Sequence, residues 1–213
     1  MLRFIIVCCF TLTFSQPALA QKVNSESGKF VIDGATLGYD SNNAQAGEWN
    51  EIENADVDVL TRILEEYPDL KLLELTSTGG SVWAGEQMAR MIMDYRLNTR
   101  VIGECSSACV TIFLAGEQRD MERGSMIGFH QNSWSESGLR SYYKYWREEE
   151  SWENPFEFGS WVYRDTQTEM YNQLNYLLAR GVDPEFAIET KRERSSMWFP
   201  SRSALEQAGV LRD

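Results

Sequence analysis

The sequence predicts an α/β protein with a largely parallel sheet. Short apolar runs alternate with helix-period segments from residue 29 to residue 130, the pattern of βαβ units. The run at 70–75 is apolar nearly throughout and bounded by turn residues, as strands of parallel sheets are. Glycines or serines stand where two of these runs give way to a helical pattern, at 79–81 and 103–107.

The chain opens with Met1-Leu2-Arg3, an apolar run over 4–14, the break Ser15-Gln16-Pro17 and then Ala18-Leu19-Ala20. A basic start, a short apolar stretch and small residues at the cleavage positions predict a signal peptide over residues 1–20, with Gln21 the new N-terminus. The run falls short of the roughly 20 apolar residues that a spanning helix needs, so an uncleaved anchor is the weaker alternative. Cys8 and Cys9 leave with the peptide, and no cysteine sits at the cleavage point for lipid attachment. Residues 21–213 are expected to form a single α/β domain, exported to the periplasm or the cell exterior. The net charge of −12 opposes binding to phosphate backbones, which relies on Lys and Arg to neutralise them. Nucleic acid is therefore excluded as a partner.

Along that domain, residues 21–28 are polar, 29–32 read as a strand ending at Asp33-Gly34, and 41–50 as a loop. Val57, Leu60, Ile63 and Leu64 recur at helical intervals over 55–66, with Pro68 beyond as a stop. The run 70–75 follows as a strand, then a helix over 81–95 with Val82, Met88, Met91 and Ile92 on one stripe. Residues 100–103 make another strand, 108–114 a buried helix and 126–130 one more strand. Beyond them, Trp134, Trp146, Trp152 and Trp161 lie among many Glu and Arg, a composition that suits either an interface or lid or the protein's own core. Helices are expected over 166–178, from Asp183-Pro184-Glu185 onward, and over 202–207.

His130 is the only histidine. That excludes multi-histidine zinc sites and leaves one candidate base for a serine or cysteine hydrolase. No metal or cofactor is expected. A lone histidine can equally be a packed residue. Gly79-Gly80-Ser81-Val82 joins a strand to a helix, where glycine lets backbone N–H groups turn outward and form an oxyanion nest; an ordinary turn is the plainer alternative. Gly103-Glu104-Cys105-Ser106-Ser107-Ala108-Cys109 likewise opens an apolar helix. A serine there can be a nucleophile beside the unpartnered first amides of the helix, or merely its cap.

Taken in order, Gly79–Val82, Gly103–Ala108 and Met126-Ile127-Gly128-Phe129-His130-Gln131 resemble the proteolytic subunit of Clp protease, within the wider Clp/crotonase superfamily. The Cys-Ser-Ser-Ala-Cys stretch at 105–109 is similar to that of exported Clp-like bacterial proteins. The resemblance covers residues 29–132 and, more faintly, 165–210. It implies a spiral of βαβ units with a C-terminal helical region. Ser107 would be the nucleophile, His130 the general base, and Gly80 and Ala108 the oxyanion-hole donors. The implied activity is hydrolysis of peptides or unfolded chains by a homo-oligomer. Outside the cytoplasm no ATP-dependent unfoldase is expected to feed it. Acyl-CoA chemistry of the crotonase branch gives no use for Ser107 and His130 together.

The third member departs from the family. Ser196, with Ser195 beside it, stands where the family carries an Asp, ahead of the stretch 198–206, and Glu193 is the nearest acid. A serine can orient an imidazole but cannot stabilise imidazolium as a carboxylate does. A Ser–His dyad of reduced power and an inactive binding or assembly module both follow from that departure. Cys105 and Cys109, the two cysteines outside the leader, can form a disulfide in an oxidising compartment, pack as buried thiols, or supply a cysteine nucleophile.

Overall fold

Period-two burial along strands and a single helix stripe on each covering element organise the chain around one sheet. The structure, a computed structural model, describes residues 23–24 and 27–212. The expected signal peptide lies outside the described residues. Among the described residues seven strands are formed: β1 (Val23–Asn24), β2 (Phe30–Asp33), β3 (Thr36–Asp40), β4 (Leu72–Ser77), β5 (Asn98–Ser106), β6 (Arg119–Met121) and β7 (Met126–Gly128). Their order is β1-β2-β3-β4-β5-β6, with β7 also on β5. β1, β2 and β3 pair antiparallel, and β3 through β7 pair parallel. This is the mixed α/β, mostly parallel arrangement that the sequence predicts.

β3 escapes the sequence pattern because it is short and has only two apolar residues, Leu37 and Tyr39, with the strand-weakening Gly38 between them. Both are buried, and a two-residue turn at Gly34-Ala35 folds it onto β2. β5 is longer than the expected strand at 100–103 and, besides β4 on one edge, serves two partners on the other. Its first half pairs with β6 and its last three residues, Glu104 to Ser106, pair with β7. In β4 only Leu73, Leu75 and Ser77 are fully buried, so a run that reads as apolar throughout behaves as an alternating strand with one well-covered face.

Helix α1 (Asn54–Glu66) buries Leu60, Ile63 and Leu64 as expected. Its first turn carries an ionic cluster. The buried Lys29 ammonium donates to both Asp56 oxygens at 3.2 Å, to Glu53 at 2.7 Å and to the Glu51 carbonyl at 2.9 Å, while the Tyr39 hydroxyl donates to Asp56 at 2.7 Å. Buried charges survive only when paired in this way. α2 (Val82–Asp94) buries Ala84, Gly85, Met88, Ala89 and Ile92. Its stripe is thus rotated from the expected one, and Val82 is left exposed. At Gly85 a Cβ would come within 3.0 Å of the Ala108 carbonyl, so α2 approaches α3 (Ala108–Leu114) closely. The last carbonyls of α3 and the turn after it are taken up by arginines. Arg180 donates to Leu114, Ala115 and Gly116, and the buried Arg119 donates to Leu114, Arg180 and Gly209. These bonds supply the partners that a helix C-terminus lacks.

The second half contains α4 (Glu136–Trp146), α5 (Pro155–Ala179), α6 (Pro184–Glu189) and α7 (Arg202–Gln207). α5 begins eleven residues before the expected 166, capped by Asn154 with Pro155 at its first position. The tryptophans expected at an interface or in a core pack mainly on Tyr142 and Phe158. Tyr142 stacks on Phe158 and Trp161, and Trp152 lies 4.8 Å from Phe158 and 5.1 Å from Trp161. They form a local aromatic cluster between α4 and the start of α5. The other end of α5 is tied to α3 by the Tyr176 hydroxyl, which donates to the Thr111 carbonyl at 2.7 Å.

Burial pushes the phenols of Tyr39 and Tyr176 well above the ordinary tyrosine range, and Asp56 raises Tyr39 further. A folded-state value above the unfolded one, about 10, contributes stability that is intact below that pH and lost as pH rises through it. Denaturant midpoints are therefore expected to hold from neutrality to about pH 9 and then fall. Two of the nine tyrosines should withhold their tyrosinate absorbance until the chain unfolds. Complete tyrosine titration in the folded protein would contradict this.

Candidate active site

The end of β5 turns into α3 through Ser107, whose backbone stands at φ +56°, ψ −125°. For a residue with a Cβ this is a strained conformation, of the kind that persists where surrounding contacts over-determine it. Three restraints hold the turn. The Ser107 N–H donates to the Gly128 carbonyl at 3.1 Å, Val110 N–H donates back to Ser107, and a disulfide joins Cys105 on β5 to Cys109 on α3. Of the readings open for the two cysteines, the structure has the disulfide, with both residues fully buried.

The two neighbouring serines separate clearly. Ser106 is buried and its hydroxyl donates to Glu104 Oε1 at 2.6 Å. Ser107 makes no capping bond with its side chain, so the plain helix-cap reading does not describe it. Its Oγ instead lies 2.7 Å from His130 Nε2. His130 follows β7, which runs parallel to the last residues of β5; that register brings residues 107 and 130 together.

The other imidazole nitrogen, Nδ1, is 2.9 Å from the Gln131 carbonyl. A carbonyl only accepts, so Nδ1 carries the proton and Nε2 is the free acceptor facing Ser107. This is the tautomer that a general base requires. The segment expected to supply the third member does reach the site, since Trp198 pairs with Phe129 through two bonds of 2.9 Å. Ser196 and Glu193 on that segment are exposed, however, and neither is hydrogen bonded to the imidazole. The orienting group found instead is a main-chain oxygen, which carries no residue identity for a sequence reading to find.

Gly80 pairs with Ile52. Ile52 N–H donates to the Gly79 carbonyl and Ser81 N–H to the Ile52 carbonyl. Both bonds flank Gly80, so its own N–H points to the opposite side of the strand. On that side lies the nucleophile turn, where a Cβ added at Gly79 would sit 2.7 Å from Ser107 Cβ and 3.2 Å from Ala108 N. Ala108 is the first residue of α3, and its amide has no partner within the helix. The Gly79-Gly80 segment and the first amide of α3 thus lie beside the Ser107 turn.

A cleft of about 410 Å³ opens over the pair, with Ser107, Ala108 and His130 at one side. Val110 and Leu114 from α3, Met93 from α2 and Leu177 from α5 give it an apolar lining, and Gln173, Tyr176 and Lys191 line it too. Those three residues belong to no motif in the sequence. Among the described residues no group of three or more His, Cys, Asp or Glu is arranged to hold a metal ion.

No family model matches the chain, and no curated protein matches it in sequence. Among solved structures it is similar to ClpP1 from Listeria monocytogenes, at 18% identity and a TM-score of 0.55 over 76% of this chain and 84% of that one. An Asn-to-Asp mutant of the same Listeria protein matches at 16% identity with the same TM-score and coverage. At such identities the likeness is one of fold alone, and the fold is Clp-like.

Proposed function

We propose that this chain is an exported serine peptidase of Clp type, cleaving peptide bonds through Ser107 and His130. The observation that carries the reading is the 2.7 Å contact between Ser107 Oγ and the unprotonated Nε2 of His130 on a strained strand-to-helix turn at the mouth of a cleft. In the reaction Ser107 Oγ attacks the scissile carbonyl carbon and His130 Nε2 takes the hydroxyl proton. The developing oxyanion is received by the Gly80 and Ala108 amides, each worth on the order of 3 kcal/mol. The C–N bond then breaks as His130 returns the proton to the leaving amine. A water activated by the same nitrogen releases the acyl group from Ser107.

The Gln131 carbonyl fixes the tautomer without adding a negative charge. In the Ser-His-Asp triad an amide in place of the carboxylate costs about 10⁴-fold because it selects the wrong tautomer. Here the correct tautomer is kept, so the loss falls on imidazolium stabilisation alone and a working dyad of reduced power results. Substrates are peptides or unfolded chains that need no ATP-driven unfolding, as suits a protein secreted to the periplasm or beyond. The protein acts as a homo-oligomer, a reading supported by exposed aromatic residues on α4 and α5 such as Tyr145, Phe156 and Tyr171. The competing reading, a Clp-like binding or assembly module without chemistry, draws on the absence of a carboxylate at His130 Nδ1.

A fluorophosphonate probe separates the two. The purified protein is expected to be labelled at Ser107, located by peptide mass spectrometry, and His130→Ala to slow labelling by about 10²-fold or more. No labelling of the folded wild-type protein at any pH would leave the binding module as the function.

A further inference from the structure

The cleft lining holds a cation without an ion-pair partner among the described residues. Lys191, just beyond α6, lines the same cleft as Ser107 and His130 and is half-buried. Its ammonium is hydrogen bonded to the neutral Gln173 Oε1, and among the described residues no carboxylate pairs with it. Gln173 is itself oriented, since its amide nitrogen donates to Glu169 Oε1 at 2.7 Å, an oxygen that also accepts from Asn132 at 2.6 Å. The amide oxygen is therefore turned to Lys191 by a chain of bonds that begins two residues after His130. Glu169 is committed to those two amides.

An ammonium partly withdrawn from water, whose hydrogen-bond acceptor is a neutral amide, is incompletely compensated. Burial lowers the Lys191 pKa, and Glu169 opposes this only in part. Arg90 on α2 adds a second cation to the cleft lining, and Glu86 is the one carboxylate there. Val110, Leu114 and Leu177 give the same cleft an apolar stretch of lining. The complement of such a site is a short apolar stem ending in a carboxylate, because the carboxylate can supply the charge-assisted bond that Lys191 lacks.

We propose that Lys191 makes this cleft a carboxylate subsite, so that preferred substrates carry an acidic group beside the bond that Ser107 attacks. This rests on the peptidase reading above. The acid can come from the side chain of the residue acylating Ser107 or from the C-terminal carboxylate of a peptide cleaved near its end. Either would displace water from the ammonium and cancel its charge in place.

Peptidyl diphenyl phosphonates with Glu, Gln or Leu next to phosphorus are the probes, applied to the wild-type protein, Lys191→Met, Lys191→Gln and Lys191→Arg. The wild type is expected to react with the Glu probe at least about tenfold faster than with the Gln probe. That ratio should fall to about one in both neutral variants and be partly retained in Lys191→Arg. Thermal melts confirm that each variant is folded. In a parallel arm, peptides ending in a free carboxylate or an amide are cleaved by the same proteins. A Lys191-dependent preference for the free carboxylate in that arm, without one for the Glu probe, supports the subsite and assigns the chain end as its source. Labelling of Ser107 with no acidic preference in either arm, or a preference that survives Lys191→Met, overturns the subsite and leaves the peptidase standing. A protein that no phosphonate or fluorophosphonate labels overturns both.

Discussion

Ser107→Ala is expected to abolish labelling and peptide cleavage, and Ser107→Gly to do the same while melting at a higher temperature than Ser107→Ala. The first effect follows from loss of the nucleophile, which in serine hydrolases costs on the order of 10⁶-fold. The second follows from the backbone. At φ +56°, ψ −125° serine and alanine share the same Cβ strain, of order 1–3 kcal/mol. Glycine escapes it, at a cost of about 0.5–1 kcal/mol in unfolded-chain entropy. The balance favours glycine by about 1 kcal/mol, or roughly 2–4 °C for a chain of this size. Differential scanning calorimetry of the two inactive variants measures it without interference from activity. A glycine variant that melts below the alanine variant would mean that the turn stores no strain, and would remove one argument for a functional elbow.

That elbow was partly legible in the sequence and partly not. The strand, the Gly-Glu-Cys-Ser-Ser-Ala-Cys junction and the apolar helix after it point to a serine at a strand-to-helix turn, because each carries a residue-type signal. Which serine faces the cleft depends on Glu104, which holds the hydroxyl of Ser106, and no spacing rule states that. The histidine was visible because it is alone; its orienting partner was not, because the Gln131 carbonyl is main chain. Likewise β3 was hidden because it is short and holds a glycine between its two apolar residues, although pairing on both sides makes it a strand. α4 was hidden for a different reason. Its stripe of Leu139, Tyr142, Tyr143 and Trp146 is mostly aromatic and none of it is fully buried, so the residues read as interface or lid as readily as the inner face of a helix. Its contact is an aromatic cluster that exists only once α5 lies beside it. Lys191 looked like one more charge in a polar stretch, and its meaning comes from burial and from Gln173, which is 18 positions away.

The oxyanion side of the site is expected to be the least tolerant of change, and Gly80→Ala tests it. A Cβ at position 80 would lie 2.3 Å from the Ile52 carbonyl oxygen and 2.5 Å from the Ile52 nitrogen. These are backbone atoms, so no rotamer change relieves the overlap. Retreat of the Ile52 segment is opposed by the buried Lys29, which holds Glu51 through its carbonyl and Glu53 through its carboxylate. The strain must then be met by rotating the Gly79-Gly80 backbone, which moves the Gly80 amide away from the oxyanion. Overpacking together with a positive φ is expected to lower stability by about 2–4 kcal/mol. Loss of one oxyanion donor should lower kcat by about 10²–10³-fold with little change in KM. Gly124→Ala supplies the comparison: its φ is also positive, at +91°, but nothing lies within 4 Å of an added Cβ. It should cost about 1 kcal/mol through backbone conformation alone and leave kcat unchanged. If the two variants behaved alike, the close packing of Gly80 on Ile52 would have no part in positioning the amide. A large kcat loss confined to Gly80→Ala ties the ion pair under α1, by way of Ile52, to the chemistry at Ser107.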